Sequence, residues 1–453
     1  MPAYPPRRCP LQPATRWIAL ALASLLALPA LAADDKFDQQ MLDVLRQQGA
    51  ITEEQYRDLS NTVAEENLPP VSSDGDWSFQ WKDGFKLSSP DGATSFKFGG
   101  RIQLDGAATF ASPQLTEDAF GTEFRRARIF FSGNTGKHLF FKAQYEFAGD
   151  NASTGTDFKD VYVGLKDMCC FGDLRVGHFK QAFSFNELTS SKYITFMERA
   201  LPVLAFAPSR DIGISANDTA FEKRMTWSLG AYRSDTPDGE ARFDNNGNYD
   251  ITGRITGLPV YADDGKHLVH LGASYSHTFA DEARYRTRPE QHLGGRYVDT
   301  GLLKTNGSDM AGGELVAVMG PLSFASEFIS TWVDGRRNLR DMNYYGAYAE
   351  VSYFLTGENK VYDMGKGTFK RVKPAKSFSL ADDGSGAWEI AGRYSHLDLG
   401  QGNGGIENDF TFGVNWYLYS NLRLMLNYVY AHVHGLPGSG TANTVEGRVS
   451  FDF

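Results

Sequence analysis

Three arginines recur at every second position in the middle of the chain, at Arg284, Arg286 and Arg288, and Arg296 follows them. In an extended strand, residues two apart point to the same side, so this spacing predicts one face with three fixed positive charges. A guanidinium group keeps its charge and donates two parallel hydrogen bonds to an oxyanion. The formal net charge of the whole chain is nevertheless -10. The row therefore predicts a local path for anions in an otherwise acidic protein.

Alternation with a period of two continues from Trp77 to Phe453 and predicts the elements that carry this row. One example is the segment 139–147, LFFKAQYEF, in which hydrophobic residues alternate with Phe140, Lys142, Gln144 and Glu146. Segments of roughly ten residues suit a tilted membrane-spanning strand. Their charged faces would not be tolerated in the packed core of a soluble sandwich. We therefore predict an all-β transmembrane barrel of about sixteen antiparallel strands over residues 77–453.

Within the predicted barrel, the arginine row has two possible locations, the lumen and an extracellular connection. Arginine on the lipid face costs about 2–4 kcal/mol at the membrane midplane, so the side chains must avoid that face. In the lumen, the row would let an anion exchange water for hydrogen bonds step by step. In an extracellular connection, the row would be a strand end with solvated charge, and Pro289 fits such a boundary.

The first 32 residues have the features of a secretory signal peptide. Arginines precede the apolar run 17–32, which ends in Ala30-Leu31-Ala32, and the run is shorter than the ~20 residues of a spanning helix. Residues 33–76 are predicted to form a short periplasmic helical segment followed by a linker. This segment would be either a small amphipathic hairpin or a subunit-associating helix. Cys169 and Cys170 are adjacent, which allows either a strained disulfide or two small half-buried residues.

Several stretches, in this order, resemble the phosphate-selective porin O and P family. The resemblance implies a sixteen-stranded, trimeric outer-membrane channel that conducts anions. It rests on FGGRIQLDG (98–106), FRRARIFFSG (124–133), FKDVYVGLK (158–166), the segment 187–213, YRTRPE (285–290), VSYFLTGE (351–358), GAWEIAGRYSHLDL (386–399) and NWYLYSNLRLMLNYV (415–429).

A segment of about thirty residues, 184–213, is apolar-rich and alternates only weakly. Hairpin loops usually contain 2–5 residues. We expect this segment to fold inward and narrow the pore, although an external flap is the other possibility. The resemblance implies that the constriction is formed by Arg101, Arg125, Arg126, Asp160, Ser190, Ser191 and Lys192.

Strand alternation supports part of this ring. Arg101 shares the polar side of its segment with Gln103, whereas Arg125 falls on the apolar side of the next one. Arg125 would therefore need a bulge, or a place beyond the lipid band, to reach the pore. Asp160 would either orient two arginines and weaken anion binding enough for release, or form a plain ion pair.

Two positions depart from the pattern that the resemblance implies. Glu187 stands where a lysine is expected, and His292 where an arginine is expected. A weakly selective anion pore, or a pore for a bulkier oxyanion, therefore stays open beside a phosphate channel.

The predicted function is passive, anion-selective diffusion of phosphate or a related oxyanion, including pyrophosphate and polyphosphate, across the bacterial outer membrane. We expect outer-membrane lipid and two further copies of the chain as partners, with no cofactor, metal or nucleic acid. A barrel enzyme is the alternative, but no Ser-His-Asp set, glycine-rich phosphate loop or paired-cysteine motif is evident in the sequence.

Overall fold

The computed structural model describes residues 77–453 except 82–83, 116–117, 149–156, 235–246, 337–338 and 436–437. The predicted signal peptide and helical segment lie outside these residues and stay predictions. The chain divides into two compact units. The smaller unit includes strand β1 (Ser78–Trp81) and most of β2 (Phe85–Ser88), and the larger one contains residues 96–453.

Sixteen long strands in the described residues form one antiparallel sheet, which confirms the predicted fold class. Each pairs with the next one in chain order, and β23 pairs with β3, so the sheet closes into a barrel without edges. These strands are β3 (Ser95–Ala111), β4 (Ala119–Thr135), β5 (Leu139–Glu146), β6 (Asp157–Met168), β7 (Gly172–Lys180), β8 (Arg210–Ala220), β9 (Met225–Arg233), β10 (Tyr249–Ala262), β11 (His267–Phe279), β15 (Leu303–Met319), β16 (Leu322–Gly335), β17 (Met342–Phe354), β20 (Ala387–Asp398), β21 (Ile406–Tyr419), β22 (Leu422–His434) and β23 (Gly440–Asp452).

Side-chain exposure alternates along these strands as the sequence pattern predicts. On β22, Leu426 and Tyr428 are exposed on the outer face, whereas Asn427 and Val429 are buried on the inner face. The closed sheet pairs the backbone polar groups of a spanning segment, as hydrocarbon requires. Among the described residues, no helix combines the length and apolar character needed to span a membrane.

The remaining short elements lie in connections between barrel strands. Helices α1 (Phe185–Leu188) and α2 (Leu201–Phe206) follow β7, and a 3-10 helix (Asp263–Gly265) follows β10. The connection after β11 contains β12 (Glu282–Ala283), β13 (Arg286–Thr287) and β14 (Val298–Asp299). The connection after β17 contains β18 (Val361–Asp363) and β19 (Thr368–Lys370).

Three of these connections pack against the inner wall of the barrel. Phe206 of α2 packs against Tyr285 of the connection after β11, in one cluster with wall residues such as Ile329. Phe369 of β19 packs against Phe185 of α1, in a second cluster with wall residues such as Val316. The lumen therefore contains apolar clusters that fix the inward connections in place.

The C-terminal residue helps to close the barrel. The N–H of Gly100 donates to the carbonyl of Phe453 at 2.8 Å, and the N–H of Phe453 donates back at 3.1 Å. A Cβ atom at Gly100 would lie 2.6 Å from both the Arg128 carbonyl oxygen and the Phe453 ring. Residue 100 must therefore be glycine, because a Cβ atom there would have to displace either the Arg128 backbone or the Phe453 ring.

We expect Gly100→Ala to destabilise the barrel by about 1–3 kcal/mol, because the added methyl group overpacks the closure. The measurement is urea-induced unfolding in lipid vesicles. Gly106→Ala is the matched control, since a Cβ there would meet its nearest neighbour at an ordinary 3.7 Å. Equal stability of the two variants would contradict the role of this closure.

Candidate functional site

The connection 181–209 crosses the barrel, as the length and composition of this stretch predict. The Ser184 hydroxyl caps α1 by accepting a hydrogen bond from the Glu187 N–H at 3.1 Å. The N–H groups of Phe185 and Asn186 donate to the Glu327 carboxylate of β16 at 3.0 and 2.8 Å. These contacts hold the start of the connection against the wall opposite β3.

The middle of the connection contacts β3 through Ser191. Arg101 Nη1 donates to Ser191 Oγ at 2.5 Å. Arg126 Nη1 donates to Gln103 Oε1 at 2.9 Å, and Gln103 Nε2 donates to the Ser191 carbonyl at 3.3 Å. The structure thus brings together three of the predicted ring residues, Arg101, Arg126 and Ser191, with Gln103 as the link. In the part of the chain that the structure describes, Arg101 has no carboxylate within ion-pair distance.

Asp160 forms ion pairs on the wall beside Arg101. Its carboxylate accepts hydrogen bonds from Lys142 at 2.5 Å and from Arg210 at 2.7 Å. It therefore joins a lysine and an arginine rather than two arginines. Arg101 lies within Coulombic range of both Asp160 and Arg210.

This part of the lumen contains more cations than carboxylates. Glu187 pairs with Lys180 at 2.7 Å and with Arg199 at 2.8 Å. Glu146 pairs with Arg128. The group, which we call the constriction cluster, has six cations and three carboxylates: Arg101, Arg128, Lys142, Lys180, Arg199, Arg210, Glu146, Asp160 and Glu187.

Arg125 reaches the interior, although simple alternation places it outside. Phe124 is 60% exposed, whereas the next two residues, Arg125 and Arg126, both contact Glu198 of the inward connection. Two consecutive residues after Phe124 therefore reach Glu198, so the alternation of β4 shifts by one residue at this point.

Glu198 neutralises part of this arginine pair. Its carboxylate accepts from Arg125 Nε at 2.9 Å and from Arg448 Nη2 at 2.8 Å, and it lies 3.7 Å from Arg126 Nη2. Sequence reasoning missed both Glu198 and Arg448. Alternation in the final strand places Arg448 on the polar face, but no spacing rule connects the two residues.

Ser190 and Lys192 lie on either side of Ser191. Ser190 is half-buried, and its hydroxyl accepts a long hydrogen bond from the Lys192 N–H at 3.4 Å. Lys192 Nζ pairs with Asp452 of β23 at 3.1 Å. Asp452 also pairs with Arg371 of the connection after β17. Asp452 lies opposite Arg101 in the β23–β3 register, so the Lys192 ammonium lies near Arg101, although its direct partner is the Asp452 carboxylate.

The arginine row lies at the opposite end, in the connection after β11. Its side chains alternate as predicted: Arg284 and Arg286 are exposed, whereas Tyr285 and Thr287 are buried. The row does not form a barrel strand, because only residues 286–287 pair with residues 298–299. It is a short extended segment within the connection.

The same connection crosses the barrel mouth from β11. Glu290 is fully buried and accepts hydrogen bonds from Arg393 at 2.5 Å and from Thr411 at 2.5 Å. His292 Nδ1 lies 2.8 Å from Glu123 of β4. His292 therefore has a local ion-pairing partner at the position where the family resemblance implies an arginine.

The four predicted ladder residues lie close enough to interact. Burial, together with the charges of Arg288 and Arg286, lowers the pKa of Arg296 below its ordinary value. Arg284 pairs with Asp299, and Arg288 Nε donates to the Gly294 carbonyl at 2.9 Å. The mouth of the barrel therefore carries a cluster of positive charge in which Asp299 pairs with Arg284.

A third inward connection, residues 355–386, contributes polar contacts that sequence reasoning missed. Arg254 Nη2 donates to the Gly367 carbonyl at 2.9 Å, and the Tyr362 hydroxyl lies 2.6 Å from His270 Nδ1. Lys360 pairs with Glu389 at 2.5 Å. The only local signal is the pair of short alternating segments around the glycine turn at 365–367.

Comparison of the sequence with known protein families gives a match over most of the chain. Residues 96–453 match the family described as phosphate-selective porin O and P. The chain belongs to this family.

Among curated relatives, this porin is 24% identical to Porin O of Pseudomonas aeruginosa over 424 residues, which covers 84% of the chain and 93% of the relative. It is 30% identical to an uncharacterized protein of Caulobacter vibrioides over 389 residues, or 82% of the chain and 75% of the relative.

Solved structures of low sequence identity support the fold of this porin. An anion-selective porin from Comamonas acidovorans has a TM-score of 0.52 at 15% identity, covering 80% of the chain and 100% of that structure. OmpT of Vibrio cholerae has a TM-score of 0.50 at 11% identity, with 80% and 98% coverage. The barrel and the family together make the protein an outer-membrane porin.

We expect Glu198→Gln to destabilise the porin by about 3–5 kcal/mol, because it removes the charge that holds the buried Arg126 and Arg448 and the half-buried Arg125. Urea-induced unfolding in vesicles measures the effect. Glu282→Gln is the control, since Glu282 forms an exposed pair with Lys304 that contributes about 0–1 kcal/mol. A loss of similar size in both variants would show that Glu198 has no special structural role.

Proposed function

We propose that this porin lets phosphate or a related oxyanion diffuse passively through the constriction cluster, with preference for anions over cations. The observation that supports this proposal most directly is the buried guanidinium of Arg101. Its described side-chain partner is a neutral serine hydroxyl, so its charge remains available to a permeating anion. A tetrahedral oxyanion could accept hydrogen bonds from both Arg101 and Ser191.

The arginine row provides the entry step in this proposal. Arg286, Arg288 and Arg296 concentrate anions at the mouth through their combined positive potential. The anion then passes inward to Arg101 as it exchanges water for donated hydrogen bonds. This sequence requires no energy source and no chemical step.

The carboxylates of the constriction cluster support release of the anion. Asp160 and Glu187 each bind two cations and so keep those cations in fixed positions. They also reduce the net positive field, which prevents binding from becoming so tight that transport stalls. The excess of cations still favours anions.

A weakly selective anion pore is the second candidate. It is favoured by the ion pairs of Glu187 and Glu198, which occupy cations that a strict phosphate site would leave available. Pyrophosphate and polyphosphate remain candidate substrates because they could span several arginines of the row. In the described residues, no group of three His, Cys, Asp or Glu side chains is placed to hold a metal ion. The signal peptide and the homotrimer stay predictions.

Arg101→Ala should raise the phosphate concentration that half-blocks chloride current by about tenfold or more, since a hydrogen bond to a charged group contributes roughly 1.5–3 kcal/mol. Ser191→Ala should give a smaller increase. Single-channel recording in planar bilayers measures both. Arg224→Ala, in the turn between β8 and β9, is the matched control and should leave the block unchanged. Unaltered block in Arg101→Ala would remove the proposed binding site.

Arg286→Ala should slow the association of phosphate at low ionic strength, because it weakens the attractive potential at the mouth. The difference should disappear at ~1 M salt, where the screening length falls to about 3 Å. Blocking rates from single-channel noise provide the measurement. Arg340→Ala, an exposed arginine in the connection after β16, is the control. Equal slowing in both variants would show that the row has no special part in entry.

A further inference from the structure

The outer wall of the barrel carries a groove across β17, β20, β21, β22 and β23. Its volume is about 660 Å³, and nearly all of its accessible surface is apolar. Gly392 lies at its centre on the outward face of β20, where Val351 and Phe412 are its direct neighbours on the two adjacent strands. The absence of a side chain at Gly392 creates the hollow between these two larger residues.

A second pocket lies directly beside this groove, toward the extracellular end of the same strands. Its volume is about 410 Å³, and it is lined by Tyr394, Asn408, Phe410, Tyr430 and His432. Strand register places the two hollows next to each other, because each residue of the pocket lies two or four positions along the strand from the outward row that contains Gly392. Along these strands, the outer surface therefore changes from apolar over the groove to aromatic and then polar toward the extracellular end.

The polar end of this surface has a consistent chemical character. Asn408 Oδ1 accepts a hydrogen bond from the Tyr394 hydroxyl at 2.8 Å and lies 2.8 Å from His396 Nδ1. The rings of Tyr394 and Phe410 pack at an interplanar angle of 42°, with centroids 4.9 Å apart. Amide and imidazole groups next to exposed aromatic rings suit sugar hydroxyls, which need both hydrogen bonds and a flat apolar surface.

We infer that this surface binds one glycolipid of the outer leaflet, with an acyl chain in the groove over Gly392 and the sugar headgroup against Asn408 and His432. The location supports this occupant, because the outward face of a membrane-spanning barrel meets acyl chains in its middle and headgroups at its rim. A wall without hollows would offer lipid molecules no preferred position. Here a hollow at Gly392 and a polar pocket coincide on the same strands.

The test uses full-length porin extracted from outer membranes in mild detergent. Native mass spectrometry measures the amount of glycolipid retained per protomer. Gly392→Phe fills the groove with an apolar side chain that the lipid face tolerates, and we expect about tenfold less retained glycolipid. A double change of Asn408→Ala and His432→Ala should reduce retention as well, because it removes the headgroup contacts but keeps the groove.

Two matched controls use the same chemistry elsewhere on the outer wall. Gly253 lies on the outward face of β10, between Ile251 and Ile255, and Gly253→Phe should leave retention unchanged. His277→Ala alters another outward histidine, which pairs with Asp309. None of these residues faces the lumen, so phosphate block should be normal in every variant, and the result is independent of the proposed transport function.

Three results would overturn the inference. Retention in Gly392→Phe equal to that of the unchanged porin would mean that no lipid occupies the groove. An equal loss in Gly253→Phe would show that the retained glycolipid is unspecific. A smaller oligomer in Gly392→Phe, detected by light scattering, would assign the groove to a neighbouring copy of the chain instead.

Discussion

The barrel interior depends on the compensation of wall charges by opposite charges on the inward connections. Glu198 of the inward connection contacts Arg125, Arg126 and Arg448, and so joins β4 to β23. A buried charge that loses its partner costs several kcal/mol. The wall arginines therefore need the Glu198 carboxylate to compensate their charge. The same ion pairs hold the connection in position against the wall. Compensation is incomplete in the constriction cluster, and the remaining positive charge is the basis of the proposed preference for anions.

Apolar packing joins the inward connections to one another. Phe206 and Tyr285 join the connection after β7 to the connection after β11, and Phe185 and Phe369 join the first of these to the connection after β17. These contacts lie beside wall residues of β15 and β16, such as Val316 and Ile329. The constriction cluster lies beside β3 to β8, on a different part of the wall.

The barrel can be predicted from the sequence because each strand shows the alternation of polar and apolar residues within its own segment. Sixteen strands, the inward position of Arg101 and the shared exposed face of Arg284 and Arg286 all follow from a period of two. Arg125 shows the limit of this reasoning. Its inward position depends on a one-residue shift in alternation after Phe124. The sequence shows that an inward Arg125 would need such a shift, but it does not show that the shift occurs. The partners of the site, such as Glu198 with Arg448, lie 250 positions apart, and only the fold brings them together.

The most direct test of the account is the zero-current potential of the purified porin across a tenfold gradient of KCl in a planar bilayer. The excess of cations in the constriction cluster predicts a potential whose sign shows that chloride crosses more readily than potassium, and phosphate added to either side should then block that current. A potential of the opposite sign, which would show that potassium crosses more readily, would contradict the central claim, as would the absence of any pore.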